Sequence, residues 1–211
     1  PVVFCIDRAG FVGGDGETHQ GLYDVAYLGA TPNMSIFAPK DGDELEDILT
    51  WSQSFDSPLA IRYPKNEISH NYNIHTPIEY GKWERIVESD SQIVLVSNGE
   101  TLANVCESAE ILKSQGIDVD VINARFIRPY DEELLDTLKG KTIFFFEEYI
   151  MQNSLYAQAL DKFNKEQDDS TQIYGINIPN VSYCVATRNQ LLKEVGLDTD
   201  GIVNFVKRKL N

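Results

Sequence analysis

Basic residues are scarce in this sequence: 18 lysines and arginines stand against 33 aspartates and glutamates, a formal net charge of −15. That deficit argues against nucleic acid or an anionic membrane as a partner, because both repel such a surface. Long apolar runs are missing as well, with no stretch approaching the ~20 residues that a membrane-spanning helix requires. Cysteine is sparse, and Cys5, Cys106 and Cys184 fall at no metal-binding spacing. Each sits in an apolar or helical run, so all three are expected to be reduced core residues of a cytoplasmic protein. No basic, cleavable leader is visible, and the opening PVVFCID reads as a strand.

What is present is a globular composition: 211 residues, 42% hydrophobic and 10% aromatic, enough to bury a core and to exclude disorder. Short, β-branched apolar runs at Val2–Ile6, Met34–Ala38, Leu59–Tyr63, Ile93–Ser97, Val119–Asn123, Thr142–Phe146 and Ile173–Ile178 predict strands covered on both faces. Helical patterns lie between them. Asp41 caps one, with Glu44 completing a capping box and Leu45, Ile48 and Leu49 as its buried stripe. A second runs from about Thr101 to Gln115, with Leu102, Val105, Ala109 and Leu112 on one face and Gly116 at its end. Strand–helix alternation predicts an α/β fold with parallel sheets.

The rhythm breaks after Pro64. Residues 66–77 read NEISHNYNIHTP, a linker composition, with a short strand expected around Gly81–Val87. The chain therefore divides into residues 1–65, a linker over 66–89, and residues 90–211. The first part is small for a parallel α/β domain, whose usual size is ~100–150 residues. It also opens directly on a strand, as a chain beginning in mid-domain would.

Chemistry concentrates in residues 7–21, DRAGFVGGDGETHQG, which carry five glycines directly after a strand. Glycine this dense lets the main chain approach a ligand closely. Thr18 is placed to cap a helix running through Ala26, with His19 in its first turn, where free N–H groups favour an anion. Arg8, Asp15 and His19 would then share a loop at the carboxyl end of a parallel strand, where open α/β sheets bind ligands. An ordinary surface loop fits the same composition. No Gly-Lys-Ser/Thr follows, so this is not a Walker loop. In the dinucleotide pattern Gly14 and Gly16 fit, but the last position is His19. No third ligand accompanies Asp15 and His19 at a metal spacing, so no metal site is assigned. A second signal is IRYPK, Ile61 to Lys65, which brings Lys65 to the same strand-end face. Arg8 with Lys65 makes a sensible phosphate clamp; a solvated lysine at the start of a linker fits the spacing equally well.

These residues resemble the 1-deoxy-D-xylulose-5-phosphate synthase family of the transketolase superfamily. The matching stretches are DRAGFVGGDGETHQG (7–21), YDVAYLGATPNMSIFAPKDGDEL (23–45), IRYPK (61–65), NARFIRPYDEELL (123–135), FFFEE (144–148) and LLKEVGLDTDGI (191–202). The resemblance implies the second half of a thiamine-pyrimidine-binding domain over 1–65 and a transketolase-type C-terminal domain over 90–211. It implies a reaction as well: pyruvate condenses with D-glyceraldehyde 3-phosphate, giving 1-deoxy-D-xylulose 5-phosphate and CO2 for isoprenoid synthesis. It further implies thiamine diphosphate and Mg²⁺ as cofactors of the intact homodimeric enzyme. Neither would bind this chain alone, which would be inactive without the N-terminal part of the same enzyme. By motif, Arg8 and Lys65 would hold the acceptor phosphate, and Asp15 and His19 would work beside the reacting carbons. Lys65 stands where the family usually has Arg, keeping the charge but losing the bidentate fork.

Later motifs depart further. Asn153-Ser154 replaces the family's Gly-Gly, Val185-Ala186-Thr187 its His-Gly, and Tyr130 its Leu. These changes bear on assembly more than on chemistry, and Arg125 and Glu147 are expected to be structural. Two further readings remain at this point: a non-catalytic scaffold or regulatory subunit, or the carboxyl half of a transketolase or of a 2-oxoacid dehydrogenase β subunit. The Asp-Arg-Ala-Gly opening of the loop favours the synthase.

Overall fold

The computed structural model describes residues 1–65, 72 and 74–210. Its elements are β1 (Val3–Ile6), α1 (Asp24–Gly29), β2 (Ser35–Phe37), α2 (Gly42–Ser52), β3 (Leu59–Arg62), β4 (Glu84–Val87), β5 (Ile93–Ser97) and α3 (Thr101–Ser114). They continue with β6 (Asp120–Asn123), β7 (Phe126–Arg128), α4 (Glu132–Asp136), β8 (Thr142–Ile150), α5 (Leu155–Glu166), β9 (Gln172–Ile178), α6 (Arg188–Val195) and α7 (Thr199–Leu210). All seven expected strands are present, within a few residues of their predicted limits.

Two sheets form. The first has strand order β1-β3-β2-β7, with the first three strands parallel and β7 antiparallel to β2. The second has order β4-β6-β5-β8-β9 and is parallel except for β4. Strand periodicity explains how the layers stack. On β5, Val94 and Val96 enter the core shared with Ile36, Phe37, Leu59 and Ile61 of the first sheet, while Leu95 faces the core under α3. On β8, Ile143 and Phe145 follow the first pair and Phe144 and Phe146 the second. One face of the second sheet thus packs toward the first sheet, and the other is covered by α3, α6 and α7.

A buried charged cluster joins the two halves. Lys40 Nζ lies 2.6 Å from Glu84 of β4 and 3.4 Å from Glu44 of α2. Arg125, 2% exposed, reaches Glu44 and donates to the carbonyls of Thr76, Pro77 and Lys82. Burial raises the Glu44 pKa. Burial acts the same way on Glu84, but the Lys40 hydrogen bond and charge outweigh it and hold that carboxyl below its usual value. Arg125 is structural, as expected, fastening the start of the second sheet to the first region.

Several expectations change. Glu44 does not close a capping box. Asp41 accepts from Glu44 N at 2.8 Å, but the Glu44 carboxylate takes the Lys40 N–H at 2.7 Å instead. Having joined the ion cluster, Glu44 turns inward with Ile48 and Ser52, which leaves Leu49 exposed rather than in the buried stripe. The cysteines are not core residues: Cys5 and Cys184 are exposed and Cys106 is half-buried. Cys5 lies on edge strand β1, whose Val3 and Phe4 are exposed too. The linker expected over 66–89 falls partly on 66–71 and 73, outside the described residues. Within it, Trp83 is buried and its indole donates to Phe126 O.

Candidate active-site loop

Arg8 lies just beyond the carboxyl end of β1, and its backbone sits in the left-handed region at φ 62°. Few non-glycine residues adopt that region, and those that do concentrate at functional sites. The chain then runs through two 3-10 turns, Gly13–Asp15 and Glu17–His19, before Gly21 returns to Gly10. Gly10 and Gly21 exchange N–H···O bonds of 2.9 Å each, closing the loop. Glycine is required at 21, because a Cβ there would fall 2.0 Å from Arg8 O. Gln20 braces the loop from inside, accepting from Val12 N at 2.7 Å and donating to Gly16 O.

Three of the four expected site residues come together. Arg8 Nε lies 3.2 Å from Asp15 Oδ2, and Lys65 Nζ reaches the Asp15 oxygens at 2.6 and 2.7 Å. Asp7 also pairs with Arg8. The cluster is accessible, with Arg8, Asp15 and Lys65 side chains 35%, 23% and 47% exposed. The Lys65 hydrogen bond, with help from Arg8, holds the Asp15 carboxyl below its ordinary value. Lys65 is therefore no idle linker lysine. Asp15 bridges the two cations while Asp7 takes the other side of Arg8, so the cluster holds two carboxylates against two cations.

His19 does not join this cluster. It is exposed, and its ring Nδ1 lies 3.1 Å from Thr18 Oγ1. The helix expected to start at Thr18 is absent, and α1 begins only at Asp24. Thr18 spends its hydroxyl on the His19 ring, and Gly21 is held extended against Gly10, which a continuous helix could not allow. The helix-terminus argument for anion binding therefore falls, and the positive charge comes from Arg8 and Lys65.

Beneath the loop lies a layer that the motif reading missed. Arg62 and Asp24 form a buried ion pair at 2.8 Å, and the guanidinium stacks over Tyr149 at 4.9 Å while donating to Gly21 O. Burial works against the Arg62 charge, but Asp24 outweighs it and raises its pKa. Glu148 accepts from Phe11 N at 2.8 Å and pairs with Arg188. The twin glutamates ending the FFFEE run were the available signal, since a charged pair at a buried strand end requires partners. Glu147 is buried and fully engaged, accepting from Leu155 N and Tyr156 N at the start of α5 and from the Asn177 side chain of β9, in keeping with the structural role expected.

The divergent motifs do local work. Asn153 holds a left-handed φ of 60° and donates to Ala26 O, and Ser154 caps α5 through Ala157 N. Thr187 and Gln190 make a full capping box on α6. Among the described residues no helix is long and apolar enough to cross a membrane. Nor do three or more His, Cys, Asp or Glu side chains gather among them as a metal cluster.

Fold and loop together define a two-part α/β protein with a cluster of paired charges, Arg8 and Lys65 bridged by Asp15, at the ends of parallel strands. Two family models match this arrangement: the transketolase pyrimidine-binding domain over residues 1–70 and the transketolase C-terminal domain over residues 81–202. The chain belongs to the transketolase family. Its curated relatives include the 1-deoxy-D-xylulose-5-phosphate synthases of Clostridium perfringens, 40% identical over 97% of this chain, and Clostridium tetani, 36% identical over 99%. The matches cover 33% and 34% of those relatives, so the chain spans about a third of their length. Among solved structures, a split-gene transketolase described as an inactive β4 tetramer superposes with a TM-score of 0.84 at 23% identity, over 98% of this chain and 66% of that one. The Campylobacter jejuni transketolase gives 0.74 at 20% identity, over 98% of this chain and 31% of that one. The synthase resemblance and the transketolase-type fold thus hold.

Proposed function

We propose that this chain supplies the acceptor-binding half of a thiamine-dependent synthase that condenses pyruvate with D-glyceraldehyde 3-phosphate. The products would be 1-deoxy-D-xylulose 5-phosphate and CO2. The observation that carries this reading is the convergence of Arg8 and Lys65, distant in sequence, on Asp15 at one sheet edge. Arg8 and Lys65 face two carboxylates, Asp7 and Asp15, so an incoming phosphate takes the cations by exchanging with a carboxylate rather than by filling an excess of positive charge. A phosphate monoester carrying roughly −1.5 to −2 charges can displace or share Asp15. Arg8 offers a directional fork and Lys65 a point charge.

Once the phosphate takes the cations, Asp15 is released to orient the acceptor hydroxyls. His19, exposed on the same loop, would deliver a proton to the acceptor carbonyl oxygen as the new carbon–carbon bond forms and that oxygen becomes a hydroxyl. Among the described residues no group of three or more His, Cys, Asp or Glu side chains offers a ligand set for the metal of a metal–diphosphate group. Thiamine diphosphate and Mg²⁺ would be held by the remainder of the enzyme, and the role assigned to this chain is confined to the acceptor. In this reading residues 1–65 are the second half of the pyrimidine-binding domain, 66–89 the linker and 90–211 the C-terminal domain, with β7 completing the first sheet. The exposed Val3 and Phe4 on β1, and Tyr23 and Tyr27 near α1, would be surfaces for the remaining domain and for a second protomer of a cytoplasmic homodimer.

The test is kinetic, in the full-length enzyme. Arg8→Ala should raise KM for glyceraldehyde 3-phosphate well beyond its effect on KM for pyruvate, and His19→Ala should lower kcat with thiamine diphosphate affinity nearly intact. Equal effects of Arg8→Ala on both substrates would remove the phosphate assignment.

A further inference from the structure

Adjacent residues on a strand point to opposite faces, and toward its carboxyl end β8 uses this to send Glu147 and Glu148 to different tasks. Glu147 secures the start of α5. Glu148, 6% exposed, faces the active-site loop and is satisfied by three donors: Phe11 N at 2.8 Å, Thr101 Oγ1 at 3.0 Å and the Arg188 guanidinium. Arg188 opens α6 and also lies 3.3 Å from Glu100. Burial opposes the Arg188 charge, but Glu148 and Glu100 raise its pKa. The loop closes tightly on this pair. Gly10 has φ 78°, and a Cβ there would lie 2.6 Å from Glu148 Cδ. At Gly13 a Cβ would lie 3.1 Å from Arg188 N.

We infer that Glu148 and Arg188, both from the C-terminal domain, are a positioning pair that sets the backbone of residues 9–13 and so holds Arg8 and Asp15 in register with Lys65. In this role both side chains act through the loop backbone rather than on the acceptor itself. The inference rests on the acceptor-binding reading of the loop. It gives the C-terminal domain a direct part in acceptor affinity, and it makes the loop geometry depend on a carboxylate more than a hundred residues further along the chain.

The test uses the full-length enzyme with Glu148→Gln, Glu148→Ala, Arg188→Ala and Arg188→Lys, and Glu147→Gln as the structural comparison. Hydrogen exchange at the Phe11 amide and across residues 9–20 should quicken about tenfold or more in Glu148→Ala, since a charge-assisted bond is lost. KM for glyceraldehyde 3-phosphate should rise by a similar factor in Glu148→Ala and Arg188→Ala, with KM for pyruvate within about twofold. Arg188→Lys should recover much of the loss. Glu147→Gln should lower thermal stability without a selective change in acceptor KM. Unchanged exchange in the loop would overturn the inference, as would Glu148 variants that weaken both substrates equally. If Glu148→Ala does not fold, Glu148→Gln decides by the same two readouts. Arg8→Ala, measured in parallel, separates the two ideas. If it leaves acceptor KM unchanged, the acceptor reading fails, and the positioning pair is then judged on loop exchange alone.

Discussion

Replacing Asp24 by alanine removes the one carboxylate hydrogen-bonded to Arg62 among the described residues, and the structure sets the size of the effect. Both side chains are buried, 3% and 4% exposed, with Nε to Oδ2 at 2.8 Å. Breaking a buried pair by deleting one partner costs roughly 3–5 kcal/mol, because the surviving charge is left without compensation. Arg62 keeps its bond to Gly21 O and its stacking on Tyr149, so the lower end, about 3 kcal/mol, is expected. For a chain of this size, 1 kcal/mol moves Tm by roughly 2–4 °C. The variant should therefore melt about 6–12 °C lower, followed by far-UV circular dichroism and by urea unfolding at pH 7. Replacing both partners with apolar groups, Asp24→Leu with Arg62→Met, should restore much of the loss, since no buried charge then remains. A single-variant cost below about 1 kcal/mol, or a double variant no more stable than the single, would refute the reasoning.

Three further outcomes follow from the same geometry. The Asp15 carboxyl, held low chiefly by Lys65, should titrate below its ordinary value in a carbon-detected NMR titration. Lys65→Ala should bring it back up toward 3.8. Because the folded pKa is depressed, the stability this cluster lends is present above the unfolded pKa and is lost as pH falls through the folded one. The stability difference between the native protein and Asp15→Asn should shrink as pH falls through the folded Asp15 pKa, and a difference that does not change with acidification would contradict this. Burial pushes the Cys106 thiol up to about 12, while Cys184 is exposed. At pH 8 a maleimide should label Cys184 readily and Cys106 only on unfolding, and rapid labelling of Cys106 in the folded state would contradict this.

The strands were legible because they are near-continuous apolar runs, and α3 because Leu102, Val105, Ala109 and Leu112 keep a helical period and are all buried. β7 was not, since its three residues, which follow β6 after Ala124 and Arg125, carry no periodicity of their own and pair with β2 only through the tertiary fold. The exposed cysteines were misjudged for a related reason. An apolar neighbourhood in sequence does not say whether an edge strand such as β1 is covered. In the loop, charge and glycine content were enough to bring Arg8, Asp15 and Lys65 forward. The local conformation was not, because mutual approach of Gly10 and Gly21 rather than helix propensity decides the path around His19. Glu148 and Arg188 stayed hidden because their partners lie in a segment remote in sequence. Lys40 and Arg62, the other basic residues of the first 65, were indistinguishable by composition from Arg8 and Lys65. Burial in ion pairs separates them.

The central claim is that this loop edge reads the phosphate of an acceptor aldehyde. Its most direct test compares D-glyceraldehyde 3-phosphate with unphosphorylated D-glyceraldehyde as acceptors for the full-length enzyme with pyruvate, following CO2 release and product. The account predicts a strong preference for the phosphorylated acceptor that collapses in Arg8→Ala and weakens in Lys65→Ala. Equal use of the two aldehydes, or a preference untouched by Arg8→Ala, would contradict it.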